Sequence, residues 1–325
     1  MLKILMRAFV TVTMLALIPV LSVFAQAESD GIARPGQLGF QQAATEVMAR
    51  IQDFHTLLLW LTGLITLLVF FLLLWLIIRY NWRANPIPSK TTHNTILEIL
   101  WTTVPIVILA LVAVPGLRLL YFQDIVPESD LVIEVTGHQW SWSYNYPDYD
   151  NLRFDAIMLD EALFGTELTA DQINERTRAL VGLQEFMGAS QAPEIYRLLD
   201  TDTRIVVPVG KVVKVLVTAD DVLHAWAIPA FGIKIDAIPG RMNMTWFKAD
   251  YTGTFYGQCS ELCGLGHSYM PIVVEVVTQE EFEKWIDRNK AIYADARSDP
   301  EARLVSTKAE ELTAEKSTAE KSTAQ

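Results

Sequence analysis

The chain has 325 residues, 51% of them hydrophobic, a mean hydropathy of +0.25 and a formal net charge of −12. That length leaves room for one or two domains beside membrane segments. The balance of 26 basic against 38 acidic residues excludes a nucleic-acid binder, and two cysteines are too few for a disulfide-built scaffold.

Lys3 and Arg7 precede an apolar run from Ala8 to Phe24 that closes on the small-residue site Ala25-Gln26-Ala27. This is the pattern of a signal peptide over 1–27, whose removal would deepen the acidity and place the following domain in an exported compartment. A short N-terminal periplasmic segment covers 28–53. Leu57 to Ile78 then contains 22 residues without a charge, and Ile99 to Leu117 contains 19. These predict transmembrane helices over 54–80 and 96–121, the second carrying Pro105 and Pro115, which membrane helices tolerate. The connection 81–95 holds Arg83 and Lys90, with Arg79 at its edge, which puts it on the cytoplasmic side and both termini outside.

From Leu131 the composition changes. The runs LVIEV, RIVV, VVKVLVT, NMTWF and PIVVEVV, separated by Pro, Gly and Asp clusters, predict an all-β sandwich or barrel over 128–290. A polar, helix-prone insertion interrupts it at 159–200, and Glu280 to about Ala296 reads as a closing helix. The tail, 291–325, repeats TAEKS at Thr313–Ser317 and Thr318–Ser322 and cannot bury a core. In HQWSWSYNY, strict alternation places His138, Trp140, Trp142, Tyr144 and Tyr146 on one face of a strand.

The chemistry concentrates in GQCSELCGLGHSYM, Gly257 to Met270. It holds both cysteines, Cys259 and Cys263, then His267 and Met270; His224 lies upstream in VLHAWAIPAFG. Export would ordinarily turn two cysteines into a disulfide. A disulfide gives His267 and Met270 no role, whereas thiolate, imidazole and thioether together form a soft donor set suited to copper. A tetrahedral Cys2His2 zinc site competes and leaves Met270 idle. Two thiolates in one loop can bridge two metals where one cannot.

WTTVP at Trp101–Pro105, GHQWSWSYNY at Gly137–Tyr146, DDVLHAWAIPAFG, DAIPGR and the cysteine loop occur in the order seen in subunit II of cytochrome c oxidase, and the resemblance spans about Phe54 to Trp285. It implies a two-helix transmembrane hairpin carrying an all-β cupredoxin-like sandwich. It further implies a binuclear copper centre held by His224, Cys259, Cys263, His267 and Met270. Glu261 would bind copper through its backbone carbonyl and turn its side chain toward a magnesium ion shared with subunit I. Electrons from cytochrome c would arrive at Trp140 and leave for haem in subunit I, where oxygen is reduced to water and protons are moved. Glu98 would stand at the mouth of a proton path. The partners implied are oxidase subunits I and III, cytochrome c and membrane lipid, in a bacterial inner membrane. Cytochrome c is basic, so acids near the loop, Asp148, Asp155, Asp220 and Asp221, are the candidate dock. A quinol oxidase subunit lacks the copper ligands present here. A membrane-anchored copper carrier or a structural zinc protein would hold one metal.

Overall fold

The computed structural model describes residues 31–159, 170–189 and 194–298. The signal-peptide reading, most of the tail and part of the insertion lie outside the described residues.

Two long helices come first, α1 (Glu46–Arg79) and α2 (Thr95–Asp124). Their most apolar windows have mean hydropathies of 2.8 and 2.3 and are not buried within the chain. Helices so apolar on all sides satisfy their own backbone and need hydrocarbon around them. Helix α1 starts well before the expected residue 54, because Thr45 caps it: the Thr45 hydroxyl accepts from Met48 N–H at 3.1 Å and donates to the Phe231 carbonyl at 2.8 Å. The polar first turns of α1 carried no membrane signal, which is why the hydropathy pattern placed its start late. Ala44, Thr45, Val47 and Met48 are buried against the β-domain, and Ala44 bonds the backbones of Ala230 and Asp250, both at 2.9 Å.

Among the described residues ten strands follow: β1 (Leu131–His138), β2 (Ser141–Tyr146), β3 (Leu152–Ala156), β4 (Ile205–Pro208), β5 (Val212–Ala219), β6 (His224–Ile228), β7 (Ile233–Ala237), β8 (Asn243–Lys248), β9 (Gly253–Cys259) and β10 (Pro271–Val277). Helix α3 (Ala170–Met187) lies in the insertion and α4 (Gln279–Ser298) closes the domain. The strands form two five-stranded sheets, ordered β3-β2-β1-β5-β8 and β4-β10-β9-β6-β7. This is a sandwich behind a helical hairpin, as the sequence pattern led us to expect. Strands β1 and β5 pair in parallel, Val135 opposite Val217, and alternate buried with half-buried residues, the mark of a sheet with one wet face. Strand β4 is buried at every position and β10 at all but two; Trp285 of α4 packs on Tyr146 and Phe154 of the first sheet, and Tyr196 meets Tyr256 of β9 edge-on. Helix α4 runs to Ser298, so 291–298 is helical and not part of a structureless tail.

Two tertiary clasps hold these parts in place. Trp246 of β8 donates to the Gln123 carbonyl at 3.2 Å and meets Phe122 edge-on, fixing α2 to the sheet edge. Arg204, 2% exposed, bonds Asp200 at 2.7 Å and Glu275 of β10 at 3.0 Å, tying the end of the insertion to the second sheet.

The run HQWSWSYNY is not one strand. The chain reverses at Gln139 and Trp140, between β1 and β2. Trp142, Tyr144 and Tyr146 share the buried face of β2, whereas His138 ends β1 and Trp140 sits in the turn. Alternation therefore fails at the reversal.

Candidate metal centre

The centre lies at one end of the second sheet. His224 opens β6, Cys259 closes β9, and Trp226 pairs with Cys259 across the two strands. Beyond Cys259 the chain loops through Cys263 and a short turn at His267–Tyr269 before Met270 leads into β10. One loop and the neighbouring strand thus gather all five side chains.

The sulfurs of Cys259 and Cys263 are 3.9 Å apart, nearly twice a disulfide bond length, and both thiols are free and buried. Each has an imidazole beside it: His224 Nδ1 lies 3.8 Å from Cys259, and His267, which also bonds Cys259, has its Nδ1 3.5 Å from Cys263. Met270 Sδ stands 3.5 Å from the Cys263 sulfur, and the Glu261 carbonyl oxygen stands 3.3 Å from that of Cys259, while the Glu261 side chain is exposed. His224, Cys259 and Cys263 present donor atoms within 4.8 Å of one another, a group that does not take in His267. One tetrahedral ion with bonds of about 2.0–2.3 Å would draw all four donors closer than that. Two ions sharing the sulfur pair would also be accommodated by the donors as they lie. Soft sulfur, imidazole and one carbonyl fit copper.

Burial raises the pKa of both thiols. At Cys259, hydrogen bonds from His224, from backbone near Glu261 and Ala225 and from His267 outweigh burial and bring it to about 6. Cys263, buried and beside the Cys259 charge, is pushed up to about 12. Two adjacent thiolates repel, so cation charge must accompany ionisation of the second.

A second layer holds these ligands. Asp221 accepts from His224 Nε2 at 2.9 Å, from the Val222 backbone at 2.6 Å and from the Gln139 backbone at 2.6 Å. This fixes the imidazole with Nδ1 toward the sulfurs. Burial would raise the Asp221 pKa, but these bonds overcome it and hold the carboxyl below its usual range. From the other sheet, Gln139 Nε2 and Trp140 Nε1 both donate to the Cys263 carbonyl, at 2.8 and 3.1 Å, and Trp142 Nε1 donates to the Met270 carbonyl at 3.2 Å. Two glycines make room. A Cβ on Gly137 would come 2.9 Å from the His224 ring, and one on Gly266 would come 2.2 Å from the Trp140 ring. Gln139, Trp142, Gly137 and Gly266 were missed as site residues. Gly137 and Gln139 had one signal, the GHQW run, which marks a turn only once the reversal is known.

Trp140 is partly exposed and rests on the loop at Gly264 and Gly266; Leu262 and Leu265 of the same loop are exposed. Of the candidate docking acids, Asp221 spends both oxygens on the centre. Asp155 accepts from Ser143 at 2.5 Å, Asp148 from the Val132 backbone at 3.2 Å, and Asp220 lies 3.6 Å from His138 with a 65% exposed side chain. Glu98 lies at the far end of the hairpin, accepting from Asn94 N–H at 3.1 Å while Asn94 caps α2.

Comparison with known proteins points to one family. The family model described as cytochrome c oxidase subunit II, periplasmic domain, matches residues 131–179 and 177–277, and the corresponding transmembrane-domain model matches 33–119. A probable cytochrome c oxidase subunit 2 of Rickettsia bellii (strain RML369-C) is 41% identical over 265 residues, covering 81% of this chain and 88% of that protein. The cytochrome c oxidase subunit 2 of Cereibacter sphaeroides is 41% identical over 258 residues, 79% of this chain and 82% of its own. Among solved structures, the periplasmic domain of cytochrome oxidase subunit II of Bradyrhizobium japonicum is 46% identical, covering 51% of this chain and 98% of that one, with a TM-score of 0.40.

Proposed function

Because the chain belongs to the cytochrome c oxidase subunit II family, we propose that it is the module of a haem–copper oxidase that receives electrons from cytochrome c and passes them to subunit I. The observation that carries this reading is a pair of free, buried sulfurs 3.9 Å apart with two imidazoles and a thioether beside them. Bound there, two copper ions supply a one-electron couple. His224, Cys259, Cys263, His267, Met270 and the Glu261 carbonyl would hold them.

The protein's part is to keep that geometry the same in both redox states. Asp221 orients His224, and the Gln139, Trp140 and Trp142 donors fix the loop carbonyls, so little rearranges as charge arrives. Trp142 meets the His224 ring edge-on and, with the buried Trp226 and Phe231, excludes water. Trp140 is the side chain at which electrons reach the loop: it is partly exposed and bonded to the Cys263 carbonyl. Asp148, Asp155 and Asp220 form the acidic dock for a basic cytochrome c. Glu261 points its side chain toward magnesium at the subunit I interface, and Glu98 stands at the mouth of a proton path serving oxygen reduction to water. The β-domain and both termini face the periplasm of a bacterial inner membrane, and subunit III completes the assembly.

The test uses the full chain in detergent, since residues 44–48 complete the β-domain. After copper loading, metal content and the electron spin resonance spectrum are recorded. Two coppers per chain with one mixed-valence signal shared between them is the expected result. A single zinc or single copper would refute the proposal.

A further inference from the structure

At the outer end of the hairpin a cavity of about 280 Å³ opens between α1 and α2. Its lining combines Arg50, Asp53 and Arg118 with the apolar side chains of Phe54, Leu57 and Leu119. Arg50 has company, a bond to Glu46 at 2.5 Å and the Phe122 ring 3.8 Å beneath its guanidinium. Asp53 and Arg118 make no hydrogen bond or ion pair among the described residues.

The depth of the cavity is set by the chain. The uncharged run Leu57 to Ile78 is about 33 Å long at helical rise, the thickness of a hydrocarbon core. Asp53 stands about one turn outside it, and Arg118 directly follows the uncharged run of α2. The charged rim therefore lies at the headgroup level of the outer leaflet, with Phe54, Leu57 and Pro115 on its membrane side, toward the acyl chains.

We propose that this cavity binds one aminophospholipid, a zwitterionic glycerophospholipid with a primary amine, its phosphate on Arg118 and its ammonium on Asp53. A guanidinium forks onto phosphate oxygens, and a primary ammonium donates hydrogen bonds to a carboxylate. An anionic headgroup would leave Asp53 facing a like charge. A quaternary ammonium has no N–H to give it. Inorganic phosphate shares the Arg118 chemistry but leaves the carboxylate and the apolar floor unmatched. The inference needs the hairpin in a bilayer and is independent of the metal.

The full chain, delipidated in detergent, is titrated with phosphatidylethanolamine, phosphatidylcholine, phosphatidylglycerol or inorganic phosphate, and retained adducts are counted by native mass spectrometry. Copper content measured in parallel reports the fold. One phosphatidylethanolamine should be retained about tenfold better than phosphatidylcholine, the worth of one hydrogen bond to a charged group. Asp53→Asn should erase that difference, Arg118→Gln should lose both lipids, and Arg118→Lys should keep most of the binding. Unchanged retention in Arg118→Gln, a preference for phosphatidylglycerol, or displacement by inorganic phosphate would each overturn the assignment. So would loss of a neighbouring subunit, without loss of lipid, when Arg118→Gln is placed in the assembled oxidase.

Discussion

Replacing Asp221 by Asn separates two jobs that a carboxylate at this position could have. In the structure Oδ1 accepts from Val222 and His224, and Oδ2 accepts from Gln139. Asparagine has one acceptor oxygen. Kept on Val222 and His224, it turns its amide nitrogen toward the Gln139 N–H, donor against donor. One charge-assisted bond is lost and two become neutral, each about half as strong. A bond to a charged group is worth about 1.5–3 kcal/mol; with the side chain a third exposed, we expect about 1–2 kcal/mol off the stability of the metal-free protein. Loss of the group orienting a metal-bound imidazole weakens binding about 10–100-fold, so copper affinity should fall by about 1.4–2.7 kcal/mol. Competition against a copper chelator, read by absorbance, measures that figure. The pH dependence has a definite sign. Burial raises the Asp221 pKa, the three bonds lower it by more, and the folded value lies below the unfolded one. Its stabilisation is thus full above about pH 4 and lost as pH falls through the folded pKa, and Asp221→Asn should flatten that loss. Unchanged copper affinity, with only the low-salt association rate of cytochrome c reduced, would refute the reasoning and return Asp221 to the dock.

Three further outcomes follow from the same geometry. Gly266→Ala puts a Cβ 2.2 Å from the Trp140 ring, so the ring must move by more than 1 Å; stopped-flow mixing with reduced cytochrome c should show about a hundredfold slower electron uptake at unchanged copper content. Arg204→Ala leaves Asp200 buried without its cation and should cost about 3–5 kcal/mol in denaturant unfolding, whereas an exposed bridge such as Lys284–Glu280 should cost little when broken. Thr278→Ala removes the cap of α4, where Thr278 and Glu281 bond reciprocally, and should lower thermal stability by about 1 kcal/mol. Bonds from Thr278 hold the Glu281 carboxyl below its usual range, so this contribution is present above about pH 4.5 and fades as pH falls through the folded pKa.

The sequence carried both spans and the five strands it marked, because long uncharged runs and β-branched alternation are local signals. The side chains that the structure gathers at the candidate centre were equally legible, four of the five lying within one loop. The start of α1 was not, since the polar, small residues before Asp53 look like an ordinary loop until Thr45 is seen bonded to Phe231. Nor could a face pattern reveal that His138 and Trp140 leave the strand. The reversal between β1 and β2 shows in register, where His138 faces Ser141, and nothing in the period-two pattern marks it. Asp221 was read as a surface acid because its partner Gln139 lies 82 residues away. Gly137 and Gly266 matter through atoms that are not there, which no local pattern records.

These misses share one cause, and it bears on how the centre works. The ligands all come from the second sheet and its loop, but what holds them comes mostly from the turn and strand of the first. Gln139, Trp140 and Trp142 bond the carbonyls of Cys263 and Met270, and the Gln139 N–H also anchors Asp221. The loop is therefore clamped between two sheets packed as one core, and its shape belongs to the sandwich more than to the loop's own sequence. Transplanting Cys259–Met270 onto another sandwich should accordingly give a loop that binds copper yet lets its ligands shift with oxidation state. The clamp also puts the partly exposed Trp140 in direct hydrogen-bond contact with the loop. On the proposed reading electron arrival and ligand rigidity then rest on the same turn, so a substitution there should alter both.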